Sequence, residues 1–458
     1  MTCDLLVLGG GPAGYEAALE AASLGLKTIL VERDALGGAC LNRGCIPTKL
    51  LLGATAAVEE LAAQAKLRLA EGSIRTDLAA LVTRKDRLLE ATRKAMRQKL
   101  TALGVEFVQG DGHVLRPGTV EVQGPEGARE IPYAKLLLAT GSRPSSFPGL
   151  TPDGGAVLDS TGFLELTAMP ASLIVVGAGF IGLEMAQAAH RFGCSITLVD
   201  ALDRVAAQED HEVSAALLGQ LKRWKWDVRL GVKVASLVTR DGKAALTLDS
   251  GQEIVADKAL VAVGRRPNTE GLGLEALGVT PGRGGFIPVD DHLRAAPDVY
   301  AAGDVNGVVL LAHAASHQAR YIARHAAGRT DAPYLSGPVP SILYGSPEVL
   351  RVGRLPGELL KEGRAVKVSA APLAANPIAQ AHGQTQGFVK VIWSEGRVAG
   401  VTALGYDVSR MATTAALMVR DGWTRDQAEN LIFPHPTLDE TLWSAFTAEA
   451  KDIPGESA

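Results

Sequence analysis

The sequence predicts an α/β fold, because it contains one pattern twice: a buried strand, a glycine turn, an amphipathic helix and a second buried strand. The first copy is LLVLGGGPAGYEAALEAASLGLKTILVE at 5–32, and the second is SLIVVGAGFIGLEMAQAAHRFGCSITLVD at 172–200. Strands that alternate with helices in this way form a parallel sheet. The 458 residues are enough for about three domains of ordinary size.

Each residue of the first glycine turn has a physical reason. Gly9, Gly11 and Gly14 have the G-x-G-x-x-G spacing, and Glu32 ends the following strand. The first two glycines allow a tight turn and the close approach of a pyrophosphate, and the third lets helix and strand pack closely. The helix N-terminus offers unpaired N–H groups to the phosphates, and the acid accepts hydrogen bonds from a ribose diol.

The second copy repeats these residues as Gly177, Gly179, Gly182 and Asp200. The first glycine lies 23 positions before the acid in both copies. A single glycine turn is weak evidence, but two copies in the same strand–turn–helix context predict two Rossmann-like dinucleotide-binding domains.

The acid of the second copy indicates which dinucleotide binds there. Asp200 would repel a 2′-phosphate, so the second site is expected to prefer NAD over NADP. Arg204 lies nearby and could soften this preference. Two dinucleotide sites in one chain predict an electron relay, in which one cofactor passes a hydride to the other.

Composition excludes several other classes of protein. The net charge of −4 leaves no excess of Lys and Arg to neutralise nucleic-acid phosphates. No run of about 18 apolar residues predicts a membrane span. The start MTCDLLVLGGGPAGYE lacks the basic head of a signal peptide. Four cysteines are too few for a disulfide scaffold, so we expect a cytoplasmic protein in which any disulfide is a working part.

Two of the cysteines are unusually close together. Cys40 and Cys45 lie in GGACLNRGCIPTK at 37–49. A zinc site needs two such pairs, whereas Cys3 and Cys194 are isolated at the heads of predicted strands, so no metal site is expected. Cys3 and Cys194 are predicted to be inert core thiols. The close pair can cycle between dithiol and disulfide, and the following helix favours the nucleophilic thiolate.

The chain resembles a known family, the pyridine nucleotide–disulfide oxidoreductases. Besides the glycine turns and the cysteine segment, the similar motifs are ATGSRP (139–144), AVGRRPN (262–268), YAAGDV (300–305), LAHAA (311–315) and FPHPTLDE (433–440). They occur in the order of the family and cover essentially the whole chain.

The resemblance implies an order of domains. Residues 1–147 are expected to form the first part of the FAD domain and 148–266 the NAD domain. Residues 267–334 would complete the FAD domain, and 335–458 would form an α+β domain for dimerisation. Proline-rich turns such as RPSSFPGLTPDGG and RTDAPYLSGPVPS agree with these boundaries.

The resemblance also implies catalytic roles. Cys45 would lie against the flavin, and Cys40 would exchange with the substrate. His435 would be the base and Glu440 would orient it. In the family this pair acts on the disulfide of the other subunit, so a homodimer with shared active sites is expected.

Further cofactor contacts are implied by the same resemblance. Asp304 would contact the FAD ribityl chain. Lys49 and Glu184 would lie beside flavin N5, where a cation stabilises the reduced flavin. His313 would pack near the flavin without acting as an acid. The other implied contacts are Gly112, Gly141, Ala312, Val234 and Gly264.

The activity implied is the oxidation of dihydrolipoyl groups on a separate carrier protein, through a Cys40–Cys45 disulfide and FAD, with reduction of NAD⁺ to NADH. One alternative is an NAD(P)H-dependent reductase of another disulfide, such as that of glutathione, although Asp200 disfavours it. Mercury and large thioredoxin reductases need C-terminal cysteines, and none follows Cys194. The remaining alternative is a non-catalytic nucleotide-sensing scaffold.

Some segments depart from the common pattern of the family. Phe433 replaces a frequent histidine, ASHQA (315–319) lacks acids, and AANPIAQA (374–381) lacks an arginine. None of these departures removes a predicted catalytic group.

Overall fold

The structure, a computed structural model, describes residues 2–453. The described chain separates into two compact units. The first unit contains the residues up to 48 together with 79–145 and 264–336. The second contains 49–78, 146–263 and the residues from 337 onward.

The strands are, in chain order, β1 (Cys3–Leu8), β2 (Thr28–Glu32), β3 (Glu106–Gln109), β4 (Asp111–Arg116), β5 (Thr119–Gly124), β6 (Gly127–Leu138), β7 (Ser142–Pro144), β8 (Val157–Leu158), β9 (Ser172–Val176), β10 (Ser195–Val199), β11 (Asp227–Arg229), β12 (Val234–Arg240), β13 (Lys243–Leu248), β14 (Glu253–Ala256), β15 (Lys258–Val261), β16 (Arg265–Pro267), β17 (Arg294–Ala296), β18 (Val299–Ala301), β19 (Ser341–Leu343), β20 (Glu348–Gly353), β21 (Lys367–Pro372), β22 (Phe388–Ser394), β23 (Arg397–Gly405) and β24 (Lys451–Asp452).

The helices are α1 (Pro12–Ser23), α2 (Gly38–Arg43), α3 (Cys45–Lys66), α4 (Leu78–Ala102), α5 (Ser160–Leu164), α6 (Phe180–Arg191), α7 (His211–Arg223), α8 (Ala312–Ala326), α9 (Pro356–Lys361), α10 (Pro377–Ala381), α11 (Ala412–Arg420), α12 (Arg425–Glu429) and α13 (Asp439–Thr447). Short 3₁₀ helices occur at Leu274–Leu277, Arg283–Gly285, Gly303–Asn306, Leu373–Ala375 and Val408–Met411.

The first unit is built on one eight-stranded sheet. Its main order is β17-β18-β6-β1-β2-β3, and β4 and β5 extend it from β6 as an antiparallel ribbon. The central strand β1 is parallel to both neighbours, with Leu6 opposite Ile29 on one side and Leu136 on the other. Helices α1 and α8 pack together, and Ala17 and Ile322 from these helices lie in one buried core cluster with residues of the sheet.

The second unit contains a second parallel sheet, in the order β11-β10-β9-β15-β8. Strands β9 and β10, which flank α6, pair in register from Ser195 opposite Ser172 to Val199 opposite Val176. A separate antiparallel sheet of β12, β13 and β14 shares a core cluster with this parallel sheet. The two predicted copies of strand, glycine turn, helix and strand therefore form as expected.

The rest of the second unit is an α+β arrangement. Its antiparallel sheet has the order β19-β20-β23-β22-β21-β24. Met418 of α11 and Leu442 and Phe446 of α13 share a core with the sheet, where Phe446 packs edge-on against Trp393. The predicted fold class is thus confirmed. The assignment of the four sequence ranges to functional domains stays a prediction, and it does not anticipate that 49–78 groups with the second unit.

None of the helices within residues 2–453 combines the length and apolar character that crossing a lipid bilayer requires.

Candidate active site

The first glycine turn needs glycine for its own geometry. Gly9 has φ +105°, and a Cβ there would collide with the carbonyl of Ala139. A Cβ on Gly14, one turn into α1, would collide with the carbonyl of Gly9. These two glycines are therefore required for the close packing of turn, strand and helix.

Gly11 has a different environment. A Cβ there would meet only the Cα of Gly38, at 3.8 Å, among the described atoms. It is the residue at which α1 begins, and no side chain in the described part of the protein caps this helix start. Space and unpaired N–H groups at a positive helix end fit a pyrophosphate, as FAD carries.

The acid at the end of β2 is tied to the same turn. Glu32 accepts the Gly10 N–H through Oε2 at 2.6 Å and the Asp34 N–H through Oε1 at 2.7 Å. Its side chain is buried, and burial raises the pKa of this carboxyl although the Gly10 N–H acts in the opposite direction.

The second turn repeats the arrangement within the second unit. Gly177 has φ +110°, and Cβ atoms on Gly177 and Gly182 would collide with the carbonyls of Ala262 and Gly177. A Cβ on Gly179 would meet no described atom within 4 Å. Asp200 accepts the Ala178 N–H at 2.6 Å through one oxygen and the Leu202 N–H at 2.7 Å through the other. The open position at Gly179 fits the pyrophosphate of NAD.

Asp304 lies in the 3₁₀ helix that follows β18 and belongs to a hydrogen-bonded group within the first unit. The hydroxyl of Ser142 donates to its carboxylate at 2.5 Å. Arg265 donates from Nε to the same hydroxyl oxygen at 2.7 Å and lies 3.6 Å from the carboxylate. The pairing of β7 with β16 brings Ser142 and Arg265 together.

The remaining residues predicted to contact the cofactors occupy scattered elements. Gly112 lies in β4, Gly141 just before β7, Val234 at the start of β12, and Gly264 just before β16. Ala312 begins α8 and is half-buried, and the next residue, His313, is exposed.

The two close cysteines occupy consecutive helices. Cys40 lies in α2 and is half-buried, whereas Cys45 is exposed and begins α3. Asn42, between them, donates to the carbonyls of Gly38 at 2.9 Å and Leu36 at 3.0 Å. Its side-chain oxygen accepts a hydrogen bond from Arg93. The backbone that carries the thiols is therefore fixed by an amide between them.

Cys3 and Cys194 have the opposite environment. Both are buried, and burial raises the pKa of Cys3 to about 11 and that of Cys194 to about 12. Thiols with such pKa values carry almost no thiolate at neutral pH, so these two side chains are inert, as the sequence predicts.

Lys49, one turn into α3, pairs with Glu184 of α6 inside the second unit. The Lys49 ammonium lies 2.7 Å from the Glu184 carboxylate, which is almost completely buried. Burial raises the pKa of Glu184, and Lys49 acts against this shift. Tyr344 completes the group, because its backbone N–H donates to Glu184 at 3.0 Å and its ring centroid lies 4.4 Å from the ammonium.

His435 and Glu440 are brought together by the turn before α13. Nδ1 of His435 lies 2.8 Å from Oε1 of Glu440, and the other carboxylate oxygen accepts the Thr437 N–H at 2.8 Å. The Thr437 N–H, followed by His435, lowers the pKa of Glu440. The imidazole side chain is 73% exposed, so its second nitrogen is accessible.

Sequence reasoning missed four residues of these groups. The recognised motifs contain Asn42, Ser142 and Arg265, but other residues of those motifs were assigned the roles. The polar side chains of these three residues were the signal that could have found them. Tyr344 lies outside every recognised motif, and nothing in the local sequence points to its contact with Lys49.

Comparison with known proteins agrees with this arrangement. Residues 3–319 match the family model described as pyridine nucleotide-disulphide oxidoreductase, and 339–446 match the dimerisation domain of that family. A dihydrolipoyl dehydrogenase of Chlorobaculum tepidum is 37% identical over 451 residues, which is 96% of each chain. A dihydrolipoyl dehydrogenase of Thermus scotoductus is also 37% identical, over 98% of this chain and 97% of its own. The crystal structure of LpdA from Mycobacterium tuberculosis superposes with a TM-score of 0.90 at 29% identity, covering 96% of this chain and 98% of that one. The chain therefore belongs to the pyridine nucleotide-disulphide oxidoreductases, a family of oxidoreductases that use FAD and NAD, and it carries the dimerisation domain of that family.

Proposed function

We propose that this protein is a dihydrolipoyl dehydrogenase, which oxidises dihydrolipoyl groups on a carrier protein and reduces NAD⁺ to NADH. The observation that carries the proposal is the exposed imidazole of His435, whose Nδ1 is held by Glu440, in a chain that also has Cys40 in α2 and Cys45 at the start of α3. Such a base and thiol pair suit exchange with a dithiol. The relatives named dihydrolipoyl dehydrogenase support this choice of dithiol.

The cofactors would be held by the two glycine turns and the residues around them. For FAD we propose Gly9, Gly11, Gly14, Glu32, Gly112, Gly141, Asp304 and Ala312, with Lys49 supplying a cation to the reduced flavin. For NAD we propose Gly177, Gly179, Gly182, Asp200, Val234 and Gly264, whereas Glu184 is proposed to lie beside the flavin as the partner of Lys49. The open positions at Gly11 and Gly179 support the assignment, because an added Cβ there would meet no atom of the described residues closer than 3.8 Å, apart from its own helix and chain neighbours.

When bound, FAD would supply the two-electron chemistry that links the dithiol form of the cysteines to hydride transfer to NAD⁺. The thiol chemistry belongs to Cys40 and Cys45, which we propose form a disulfide in the oxidised enzyme. One dihydrolipoyl thiolate attacks Sγ of Cys40, the S–S bond breaks, and Cys45 leaves as a thiolate. The second dihydrolipoyl sulfur then attacks the first, which releases Cys40 and closes the oxidised lipoyl ring.

This sequence releases the two thiol protons of the substrate, and we propose that His435 takes one of them. The Glu440 carboxylate accepts a hydrogen bond from Nδ1, so Nδ1 carries the proton and Nε2 has a free lone pair. Glu440 fixes both the tautomer and the ring orientation. We propose that the base for each cysteine pair comes from the second subunit of a homodimer, and the dimerisation domain at 339–446 supports this arrangement.

The test is the initial rate of NAD⁺ reduction by free dihydrolipoamide, with purified protein that contains FAD. We expect rapid turnover that His435→Gln removes while FAD remains bound. If dihydrolipoamide does not reduce the flavin and NADH does, the substrate is wrong although the fold and cofactors stand. Turnover with glutathione and NADPH would then favour the alternative disulfide reductase.

A further inference from the structure

The segment after Asp200 forms a closed loop against the glycine turn of the proposed NAD site. We refer to this segment, residues 201–210, as the ribose loop. Its Ala206 donates a backbone N–H to the carbonyl of Ala178 at 2.9 Å. The N–H of the same Ala178 donates to the Asp200 carboxylate. The Ala178 peptide is thus bonded both to the loop and to Asp200 directly before it, so a displacement of the loop would move the groups proposed to bind NAD.

The conformation of the ribose loop does not follow from local preference. Ala206 has φ +45°, a left-handed conformation that costs free energy for any residue with a Cβ. Such a residue persists only where surrounding contacts hold it. Here the carbonyl of Ala206 accepts the backbone N–H of Glu209 at 2.8 Å, so the loop closes on itself.

Arg204 is the internal staple of this loop. Its Nη2 donates to the carbonyl of Ala207 at 2.7 Å. Its Nη1 lies 3.4 Å from the carbonyl of Glu209 and 3.5 Å from the hydroxyl of Ser214. The guanidinium is half-buried and directed at atoms of its own loop and of α7. Its position is that of a structural staple rather than that of a receptor for a 2′-phosphate.

Two ion pairs hold the end of the ribose loop to the antiparallel sheet of the dimerisation domain. Nε of Arg351 in β20 lies 3.0 Å from Glu209, and Nζ of Lys390 in β22 lies 3.0 Å from Asp210. The side chains of Glu209, Asp210 and Lys390 are at most 8% exposed. Their position is strongly specified, because a buried charge that loses its partner is costly.

We propose that Arg204, Arg351 and Lys390 are positioning residues for the dinucleotide. They hold the ribose loop in the conformation in which Asp200 and the glycine turn bind the adenosine ribose and the pyrophosphate. The inference rests on the proposed NAD site and adds that the dimerisation domain contributes to nucleotide affinity through buried charges.

The test measures binding of ADP-ribose to the FAD-containing protein by titration calorimetry, because this probe carries the ribose and pyrophosphate and cannot reduce the flavin. The first variant, Arg204→Met, removes the staple. The second, Asp210→Asn, removes the ion pair but keeps an oxygen for the N–H of Glu212, which Asp210 caps at the start of α7. Lys390 then retains Glu212 at 2.9 Å, so the second variant leaves no isolated buried cation.

We expect both variants to raise the Kd for ADP-ribose by about tenfold, which corresponds to roughly 1.4 kcal/mol. The KM for NAD⁺ should rise with it, while the rate of flavin reduction by dihydrolipoamide in the absence of NAD⁺ stays unchanged. The matched control is Arg240→Met, which removes an exposed ion pair with Glu253 on the sheet of β12 to β14 and should leave the Kd unchanged.

A second probe, ADP-ribose 2′-phosphate, supplies the opposing result. If Arg204→Met weakens only the phosphorylated probe, Arg204 is a phosphate receptor and its role as a staple is wrong. An unchanged Kd for ADP-ribose in folded Asp210→Asn overturns the anchoring role, and if that variant does not fold, the Arg204→Met result decides. Failure of dihydrolipoamide to reduce the wild-type flavin would reject the proposed substrate but would leave these binding results intact.

Discussion

Glu32 and Asp200 make the same two hydrogen bonds in two different units of the protein. Each carboxylate accepts the N–H of the second residue of its glycine turn at 2.6 Å. Each also accepts, at 2.7 Å, the N–H of the residue two positions after the acid itself. Both acids are thereby oriented by the backbone. A carboxylate held in this way can accept ribose hydroxyls, and it repels a phosphate placed there.

The first prediction concerns this repulsion. Asp200→Asn keeps one oxygen as an acceptor for the backbone but removes the charge, so the ratio of kcat/KM for NADP⁺ to that for NAD⁺ should rise by about tenfold or more. Steady-state rates with dihydrolipoamide measure this ratio. Asp203→Asn removes an exposed acid of the same loop and is the control. An equal effect in both variants would assign the selectivity to net charge instead of to Asp200.

The glycine of the second turn that faces open space gives a second prediction. Gly179→Ala adds a methyl group that meets no described atom within 4 Å, so the loss of stability should stay within about 1 kcal/mol, the range for a helix N-cap. The methyl group would occupy space proposed for the pyrophosphate, and the Kd for ADP-ribose should rise by more than about tenfold.

Gly182→Ala is the matched comparison, because its methyl group would collide with the carbonyl of Gly177. This variant should lose about 1–3 kcal/mol of stability, as overpacked sites do. Thermal unfolding and calorimetry separate the two effects. Normal binding of ADP-ribose by Gly179→Ala would show that the pyrophosphate lies elsewhere.

The third prediction concerns the base. In Glu440→Gln the amide can donate a hydrogen bond to Nδ1 of His435, which favours the tautomer with its proton on Nε2. Nε2 can then no longer accept a proton from the substrate. Turnover should fall roughly 100-fold or more, the usual contribution of a general base. Glu449→Gln changes an exposed acid of the same unit and should leave turnover unchanged.

The pH profile gives a further check on the same pair. The lowered pKa of Glu440 keeps this carboxylate ionised at neutral pH, and its stabilising contribution is lost only as the pH falls through that lowered value. Glu440 should therefore contribute no transition to the wild-type pH profile between about pH 5 and about pH 8. If the rate fell with the square of the proton concentration in that interval, Glu440 would not be the ionised partner of His435.

The sequence predicts those parts of the site that local pattern specifies. The spacing of Gly177 and Asp200 follows from one strand–turn–helix–strand unit. His435 and Glu440 lie only five positions apart, but their pairing was expected from the family resemblance and not from the local pattern. The pair of Lys49 and Glu184 spans 135 positions. It was expected only from the family resemblance, because no local pattern encodes such a contact.

Other features depend on contacts that local sequence does not record. Arg204 has a position from which it could bind a phosphate, and only the fold shows that it bonds to Ala207. Tyr344 reaches Lys49 because the backbone of its segment is held by Glu184. Residues 49–66 continue the helix that begins at Cys45, yet they group with the second unit. Tertiary packing decides all three.

The last prediction tests the charge balance at Glu184. Lys49→Met leaves this nearly buried carboxylate without its cation and should destabilise the protein by about 2 kcal/mol at neutral pH. The value is lower than the 3–5 kcal/mol of fully buried pairs because Lys49 is itself 35% exposed. Lys361→Met, at an exposed position, is the control, and the double variant Lys49→Met/Glu184→Gln should recover most of the loss.

The raised pKa of Glu184 decides how the destabilisation caused by Lys49→Met changes with pH. Burial raises this pKa in the folded protein, and removal of Lys49 raises it further because Lys49 acts in the opposite direction. An unfolded glutamate loses its proton near about pH 4.3, whereas the folded variant holds the proton to higher pH. Between these two values the folded state binds more protons, so stability falls as the pH rises. Denaturant unfolding of Lys49→Met should thus show a smaller deficit at about pH 5 than at about pH 8, and a deficit that is equal at both would mean that Glu184 stays ionised without Lys49.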